Sequence, residues 1–452
     1  MRKFLFCWLV LAVTILVNGA KATTTFPIAT NPAVTEVAGG FATSGSNSIV
    51  SILAGTNVCY QLVSSNGTLI GSLVTIGKSL GFPYIAFGST NYLSIWFDDF
   101  VSSPFGQIIS SSGATVGSAF SLGSGVSKVS ALTSDGTNFL AIWQDGSKNF
   151  YGQLVTSTGT LSGAAFLISS QLQNGSSAAA TFGKTNYLVV WQSNNGSVGN
   201  VNQAFGEFVS GNGLAGSPFQ ISLTSSPDQT FLTVAFDGTN YLAVWPWHSG
   251  PATGGNVTNW QFNARLVSQI GTFPGSELAL ITNRNQIIPS LAFDGVNYLL
   301  AYGFDSNSTN SDRNLRCQFI DRSGNLVGPL FTPFAPSGTN TTLFALHSLF
   351  FSGTRFGMAA SLGTLGVNGD VFGVFIPAST TPPTLTASNL VGTQFPLQLT
   401  GTPGINYAIQ VRTNLVSGNW TDVVTNSPTN GTFSFDDTHA TNASRFYRAL
   451  KQ

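Results

Sequence analysis

Side chains able to do chemistry are scarce in this chain. It has three histidines, His248, His347 and His439. None stands at a zinc-type spacing or beside a cysteine, so no metal centre is expected. His347 lies in an apolar stretch and reads as core. The run Asp305-Ser306-Asn307-Ser308-Thr309-Asn310-Ser311-Asp312 alternates oxygen-bearing side chains as calcium loops do. It lacks glycine at its sixth position and carries Arg316 at its twelfth, so it reads as a solvated polar loop. Asp98, Asp99 and Asp145 fall at matching points of neighbouring segments. Carboxylates gathered on one face are the residue type of a general acid and base pair, and equally of plain solvated loops. Trp247-His248 offers an aromatic surface on which a sugar can stack. No glycine-rich phosphate loop or nucleophile elbow is present, and no cofactor is expected. The candidate ligand-binding set is therefore Asp98, Asp99, Asp145, Trp247, His248, Asp305 and Asp312, with no catalytic residue assigned.

What must position these residues is a repeat. Ala86 to Trp96 reads Ala-Phe-Gly-Ser-Thr-Asn-Tyr-Leu-Ser-Ile-Trp, and related phrases run Thr133–Trp143, Thr181–Trp191, Ala235–Trp245 and Ala292–Tyr302. A period of about fifty residues marks repeated supersecondary units. Each unit has an apolar stretch, a tight turn carrying Asp-Gly and Asn, and a second apolar stretch starting at the aromatic. A third strand, a Ser-Gly turn and a fourth strand follow. Asp-Gly and Asn are expected to supply the positive-φ positions of the first turn. Trp96, Trp143, Trp191 and Trp245 recur at one structural position, which marks them as packing residues between units rather than ligand contacts.

Constant and variable spacings separate two faces. Gln61 to Gly67, Gln107 to Gly113, Gln153 to Gly159, Glu207 to Gly213, Arg265 to Gly271 and Gln318 to Gly324 are each six residues apart. The second-to-third connection varies instead, from eight residues (Leu53 to Gln61) to twenty (Trp245 to Arg265). In an up-and-down sheet this connection and the fourth-to-first one lie on one side, and the two short turns on the other. Variable loops on a rigid scaffold are where function usually sits. All the candidate residues belong to that face.

Seven units can be counted, the first and last degenerate. The seventh stops at Pro377 without a fourth strand, while Phe26-Pro27-Ile28-Ala29-Thr30 is an orphan strand of that kind. Donation of the N-terminal strand to the last unit is expected to close a ring and leave few open edges. The repeats resemble those of secreted bacterial β-propeller proteins with Asp-Gly-x-x-Tyr-Leu-Val-x-Trp blades. That resemblance implies an all-β fold, a seven-bladed β-propeller over residues 23–379, and little about activity. The Asp-box of sialidase propellers, which needs a residue between Asp and Gly, is absent.

Composition limits the partners. Residues 1–22 read as a signal peptide: Arg2 and Lys3, the apolar Phe4–Val17, and a small-x-small site at Ala20-Lys21-Ala22. No later stretch approaches ~20 apolar residues, so no membrane span is expected. Charged residues are 8% of the chain and balance at 17 of each sign, against ~25% in ordinary soluble proteins. Without basic runs, nucleic acid is not an expected partner. Cys59 and Cys317 read as buried free thiols. Residues 380–383 (Thr-Thr-Pro-Pro) form a stiff linker. Short strands in 384–452 suggest a small C-terminal β-sandwich. Its Asn419-Trp420-Thr421 triplet and closing Arg445-Phe446-Tyr447-Arg448 resemble the terminal fibronectin-like modules of Verrucomicrobia-type exported proteins. The expectation is a secreted or cell-surface, non-catalytic protein that binds an extracellular glycan or surface protein through its variable-loop face. The alternatives are a glycan-active hydrolase or lyase using the loop carboxylates, and a purely structural surface protein.

Overall fold

The computed structural model describes residues 23–31, 33–170, 177–193, 202–214, 216–224, 231–248, 260–282, 286–305, 313–333, 342–364, 367–379, 384–388, 394–401, 406–413, 419–428, 431–438 and 445–451. The leader 1–22, the linker 380–383, Asp312 and His439 lie outside them. Among the described residues all regular structure is strand, and no helix is long and apolar enough to cross a membrane. Chain contacts divide the protein into two units, Lys21–Ala378 and a C-terminal one from Ser379.

In the larger unit the strands form seven antiparallel sheets among the described residues. The first holds β2 (Glu36–Thr43), β3 (Asn47–Ala54), β4 (Asn57–Ser64) and β5 (Leu69–Lys78), after β1 (Thr24–Ala29). The second holds β6 (Tyr84–Phe87), β7 (Asn91–Asp98), β8 (Ser103–Ser110) and β9 (Thr115–Ser121). The third holds β10 (Val126–Ser134), β11 (Asn138–Asp145), β12 (Phe150–Thr156) and β13 (Leu161–Ser169). The fourth holds β14 (Ala178–Phe182), β15 (Asn186–Ser193), β16 (Gln203–Ser210) and a split outer strand, β17 (Gly213–Leu214) and β18 (Phe219–Gln220). The fifth holds β19 (Thr233–Phe236), β20 (Asn240–His248), β21 (Trp260–Ser268) and β22 (Leu278–Thr282). The sixth holds β23 (Gln286–Phe293), β24 (Tyr298–Asp305), β25 (Arg313–Ile320) and β26 (Leu326–Phe331). The seventh joins β27 (Thr342–Phe351), β28 (Arg355–Thr364) and β29 (Val367–Pro377) to β1, in the order β1-β29-β28-β27.

The first strands touch one another in a closed cycle: β2, β6, β10, β14, β19, β23, β27 and back to β2. Apolar side chains fill the space between successive sheets. Leu93 and Ile95 of the second sheet pack with Phe139 and Trp143 of the third, and Leu188 and Val190 of the fourth with Tyr241 and Trp245 of the fifth. Trp96, Trp143, Trp191 and Trp245 are all buried, each against the preceding sheet.

The first turn departs from the expected chemistry. Glycine alone takes positive φ, as Gly136 (91°), Gly238 (93°) and Gly295 (94°). The Asp caps the turn through its side chain: Asp237 Oδ1 accepts from Thr239 N and Asn240 N, both at 2.7 Å. The Asn keeps its ordinary backbone and lends its carbonyl to the next sheet. Tyr92 Oη donates to Asn47 O (2.7 Å), Tyr187 to Asn138 O (3.3 Å), Tyr241 to Asn186 O (2.7 Å) and Tyr298 to Asn240 O (3.4 Å). The recurring Asn-Tyr pair is thus a latch from sheet to sheet, and burial holds Tyr92 up at a pKa of about 12.

A second device fixes the outer strands. Gly71, Gly117, Gly163 and Gly328 each take φ of 66–71° in a fourth strand, beside a register shift. Such bulges twist an open edge away from pairing with another chain. The third-strand glycine, by contrast, makes room for an aromatic: a Cβ on Gly106 would stand 2.8 Å from Phe120, and on Gly152 2.7 Å from Phe166. Phe26 of β1 covers Gly373 of β29 in the same manner. Cys59 and Cys317 are buried and free.

The C-terminal unit has two three-stranded sheets. One is β30 (Thr384–Ala387), β31 (Phe395–Thr400) and β34 (Thr432–Asp437). The other is β33 (Thr421–Asn426), β32 (Tyr407–Arg412) and β35 (Phe446–Lys451). Leu397, Leu399, Tyr407, Ile409 and Tyr447 form its core. The two motif segments of the sequence serve this unit's own packing. Arg448 and Arg412 lie over the Trp420 ring, at 4.4 and 5.5 Å from its centre. Buried Asp437 pairs with Arg445 (2.6 Å) and accepts from Tyr447 Oη (2.7 Å).

Candidate functional site

The closed cycle of first strands surrounds a cavity of about 1020 Å³, to which all seven sheets contribute. Each first strand enters from a fourth-to-first connection, so residues at its start mark the variable-loop end. At that end the wall is formed by Ser79, Phe82, Ser127, Lys128, Ser177 and Phe231, with Asp99 reaching in just past β7. Phe82 is 40% exposed and Phe231 37%. Deeper in, the wall mixes Ala, Val, Ile and Leu with hydroxyls, and further aromatic residues such as Phe87, Phe236, Phe293 and Phe351 line it towards the ends of the first strands. Asp99 and Lys128 are the charged residues among the described lining. Lys128 is exposed to the cavity, yet the surrounding wall desolvates it enough to lower its pKa.

Ser130 has a distinct place in this wall. The register of β10 against β11 shifts between Val129 and Ala131, which makes Ser130 the bulged residue. It is 1% exposed, and its hydroxyl has no hydrogen-bond partner. A buried hydroxyl left unpaired costs roughly 1–3 kcal/mol.

The structure separates the sequence-derived candidates. Among the candidates whose side chains are described, Asp99 alone lines the cavity; its Oδ2 accepts from Leu80 N at 2.6 Å and ties the loop before β6 to the loop after β7. In these two loops Leu80 (65%), Phe100 (58%) and Val101 (62%) are exposed. Asp98 ends β7 and accepts from Phe100 N (2.9 Å). Asp145 ends β11, and its oxygens accept from Ser147 N (2.8 Å), Asn149 N (2.9 Å) and Asn149 Nδ2 (2.8 Å). Burial works to raise its pKa, but these donors outweigh it and hold the carboxyl below the usual aspartate value. Asp98 and Asp145 are therefore employed as turn caps. Trp247 and His248 lie in strand β20 rather than in a loop, because the ladder continues through Trp247–Gln261 and His248–Trp260. Trp247 is half-buried. Asp305 ends β24 opposite Arg313; its side chain, like that of His248, is outside what is described. Among the described residues no cluster of three His, Cys, Asp or Glu is placed to hold a metal ion.

Sequence reasoning missed Ser79, Phe82, Ser127, Ser130, Ser177 and Phe231. Their signal was positional: apart from Ser130, inside β10, they lie at the start of a unit's first strand or in the connection leading into it, the strand that faces the centre when such units close.

No family model matches the chain, and no curated protein matches it. The solved structures it is similar to include β-propellers. A protein of unknown function from Dyadobacter fermentans has a TM-score of 0.49 and 11% identity, covering 79% of this chain and 100% of that one. The β-propeller domain of the Trilobed protease from Pyrococcus furiosus scores 0.46 at 7% identity, covering 75% and 95%. The Dos1 propeller scores 0.45 at 10% identity, covering 78% and 95%.

Proposed function

We propose that the chain is an exported, non-catalytic binding protein whose ligand is a neutral extracellular glycan. In this reading residues 1–22 direct export. Residues 23–379 form a seven-bladed β-propeller closed by β1, and residues 384–452 form a fibronectin-like β-sandwich beyond the linker 380–383. The ligand engages the variable-loop mouth of the central cavity. The observation that supports the reading is the cavity itself, with Phe82 (40% exposed), Phe231 (37%) and several hydroxyl side chains in its lining. Aromatic faces pack on the apolar faces of sugar rings, and convergent hydroxyls match sugar hydroxyls. One carboxylate and one ammonium among the described lining suit a ligand without net charge. Asp98, Asp145, Trp247 and His248, all at strand ends on this face, together with Asp305 and Asp312, are assigned as outer contacts.

The test is a screen of neutral polysaccharides against the wild type, Phe82→Ala and Phe231→Ala. Loss of one stacking ring, at roughly 0.5–1.5 kcal/mol beyond buried area, is expected to weaken binding about threefold to tenfold or more. Equal affinity in all three proteins, or capture of proteins with no glycan bound, would overturn the assignment.

A further inference from the structure

Four sheets secure their outer strand with the same side chain. Gln61, Gln107, Gln153 and Gln318 are buried third-strand residues, and each donates Nε2 to three backbone carbonyls. For Gln107 these are Ile108 O (2.9 Å), Val116 O (3.2 Å) and Gly117 O (3.3 Å), the last two in β9 at its bulge. The amide thereby satisfies carbonyls that the bulge leaves out of the ladder.

The fourth sheet has Glu207 at this position. It is 1% exposed, and its Oε2 has no hydrogen-bond partner. An ionised carboxylate only accepts, so it cannot do what the glutamines do. The outer strand is interrupted opposite it. β17 pairs with Val209 and Ser210, and β18 pairs with Phe205 and Gly206, whereas β9 runs unbroken from Thr115 to Ser121. Burial pushes the Glu207 carboxyl up to about 7. β15, β17 and β18, which flank β16, contain no Asp, Glu, His, Lys or Arg, and Glu207 is the single such residue of β16. At the matching position of the fifth sheet, Arg265 donates Nη1 to Ile221 O (2.7 Å), stacks 3.6 Å over Phe273 and feels the charge of Glu277.

We infer that Glu207 is a proton-operated bolt: its neutral carboxyl donates to the outer-strand backbone and closes the fourth sheet, and its ionisation lets that edge open. This goes beyond ligand binding and concerns the rim of the fold. The sign follows from linkage. The folded carboxyl binds its proton more tightly than the unfolded one, whose ordinary value is 4.5. The stabilisation is therefore full below about 4.5 and is lost as pH rises through about 7.

Hydrogen-exchange protection factors of the β17 and β18 amides test it, taken at pH 4.5 and 7.5 on the full chain. In the wild type they are expected to fall by about 10- to 100-fold on going to pH 7.5. In Glu207→Gln they should stay constant. Gln107→Glu should carry the same pH-dependent loss into β9, and it decides the matter if Glu207→Gln does not fold. An unchanged pH loss in Glu207→Gln, or a β9 indifferent to pH in Gln107→Glu, would overturn the proposal.

Discussion

Deleting residues 23–30 is expected to lower the melting temperature by at least about 5 °C or to prevent folding altogether. β1 is the outermost strand of the seventh sheet, paired with β29 from Thr24–Phe375 to Ala29–Val371. It buries Phe26, Ile28 and Ala29 in a cluster shared with Phe41, Val50 and Ile52 of the first sheet and Phe375 of the seventh. Phe26 also packs 5.0 Å from the Phe375 ring and covers Gly67 and Gly373. Losing a buried Phe alone costs about 3–5 kcal/mol, and the deletion additionally frees the whole edge of β29. At roughly 1–2 °C per kcal/mol for a unit the size of Lys21–Ala378, the combined loss lowers the transition by at least about 5 °C. Calorimetry on the truncated chain measures it. An unchanged transition would show that the seventh sheet does not depend on β1.

Two tryptophans two residues apart should behave in opposite ways. Trp245→Ala is expected to destabilise by about 3–5 kcal/mol, because its side chain is fully buried between the fourth and fifth sheets. Trp247 is half-buried near the end of β20, and Trp247→Ala should cost no more than about 1 kcal/mol while weakening glycan binding. Denaturant titration and a binding assay on both variants separate the roles. A Trp247→Ala protein that loses stability as Trp245→Ala does would make both residues structural.

Much of the architecture was legible because a repeat states its own grammar several times. The alternation of apolar stretches with Asp-Gly and Ser-Gly turns announced four-stranded antiparallel units. Recurrence of Trp at one position announced packing rather than ligand contact. What was not legible depends on partners distant in sequence. The Asn of Asn-Tyr looked like a turn residue, and only the neighbouring sheet reveals that its carbonyl receives a tyrosine hydroxyl from about fifty residues later. The Gln of the constant six-residue spacing looked like a ruler mark, but it holds a bulge. The candidate site was read less well. Acidic residues drew attention by charge, yet Asp145 followed by Gly, Ser and Asn has the makings of a turn cap, and Asp98 caps a turn without that local signal, a use that competes with chemistry. The hydroxyls and Phe rings around the cavity are ordinary residues that become a site only once seven first strands face each other.

Footprinting a bound neutral oligosaccharide by hydrogen exchange locates the ligand on the chain. Slowed exchange is expected at 79–82, 97–101, 127–131, 177–179 and 231–234, the variable-loop end of the cavity, with the Asp135, Asp237 and Asp294 turns unaffected. Protection centred on those Asp-Gly turns instead would place the ligand on the opposite face and contradict the assignment.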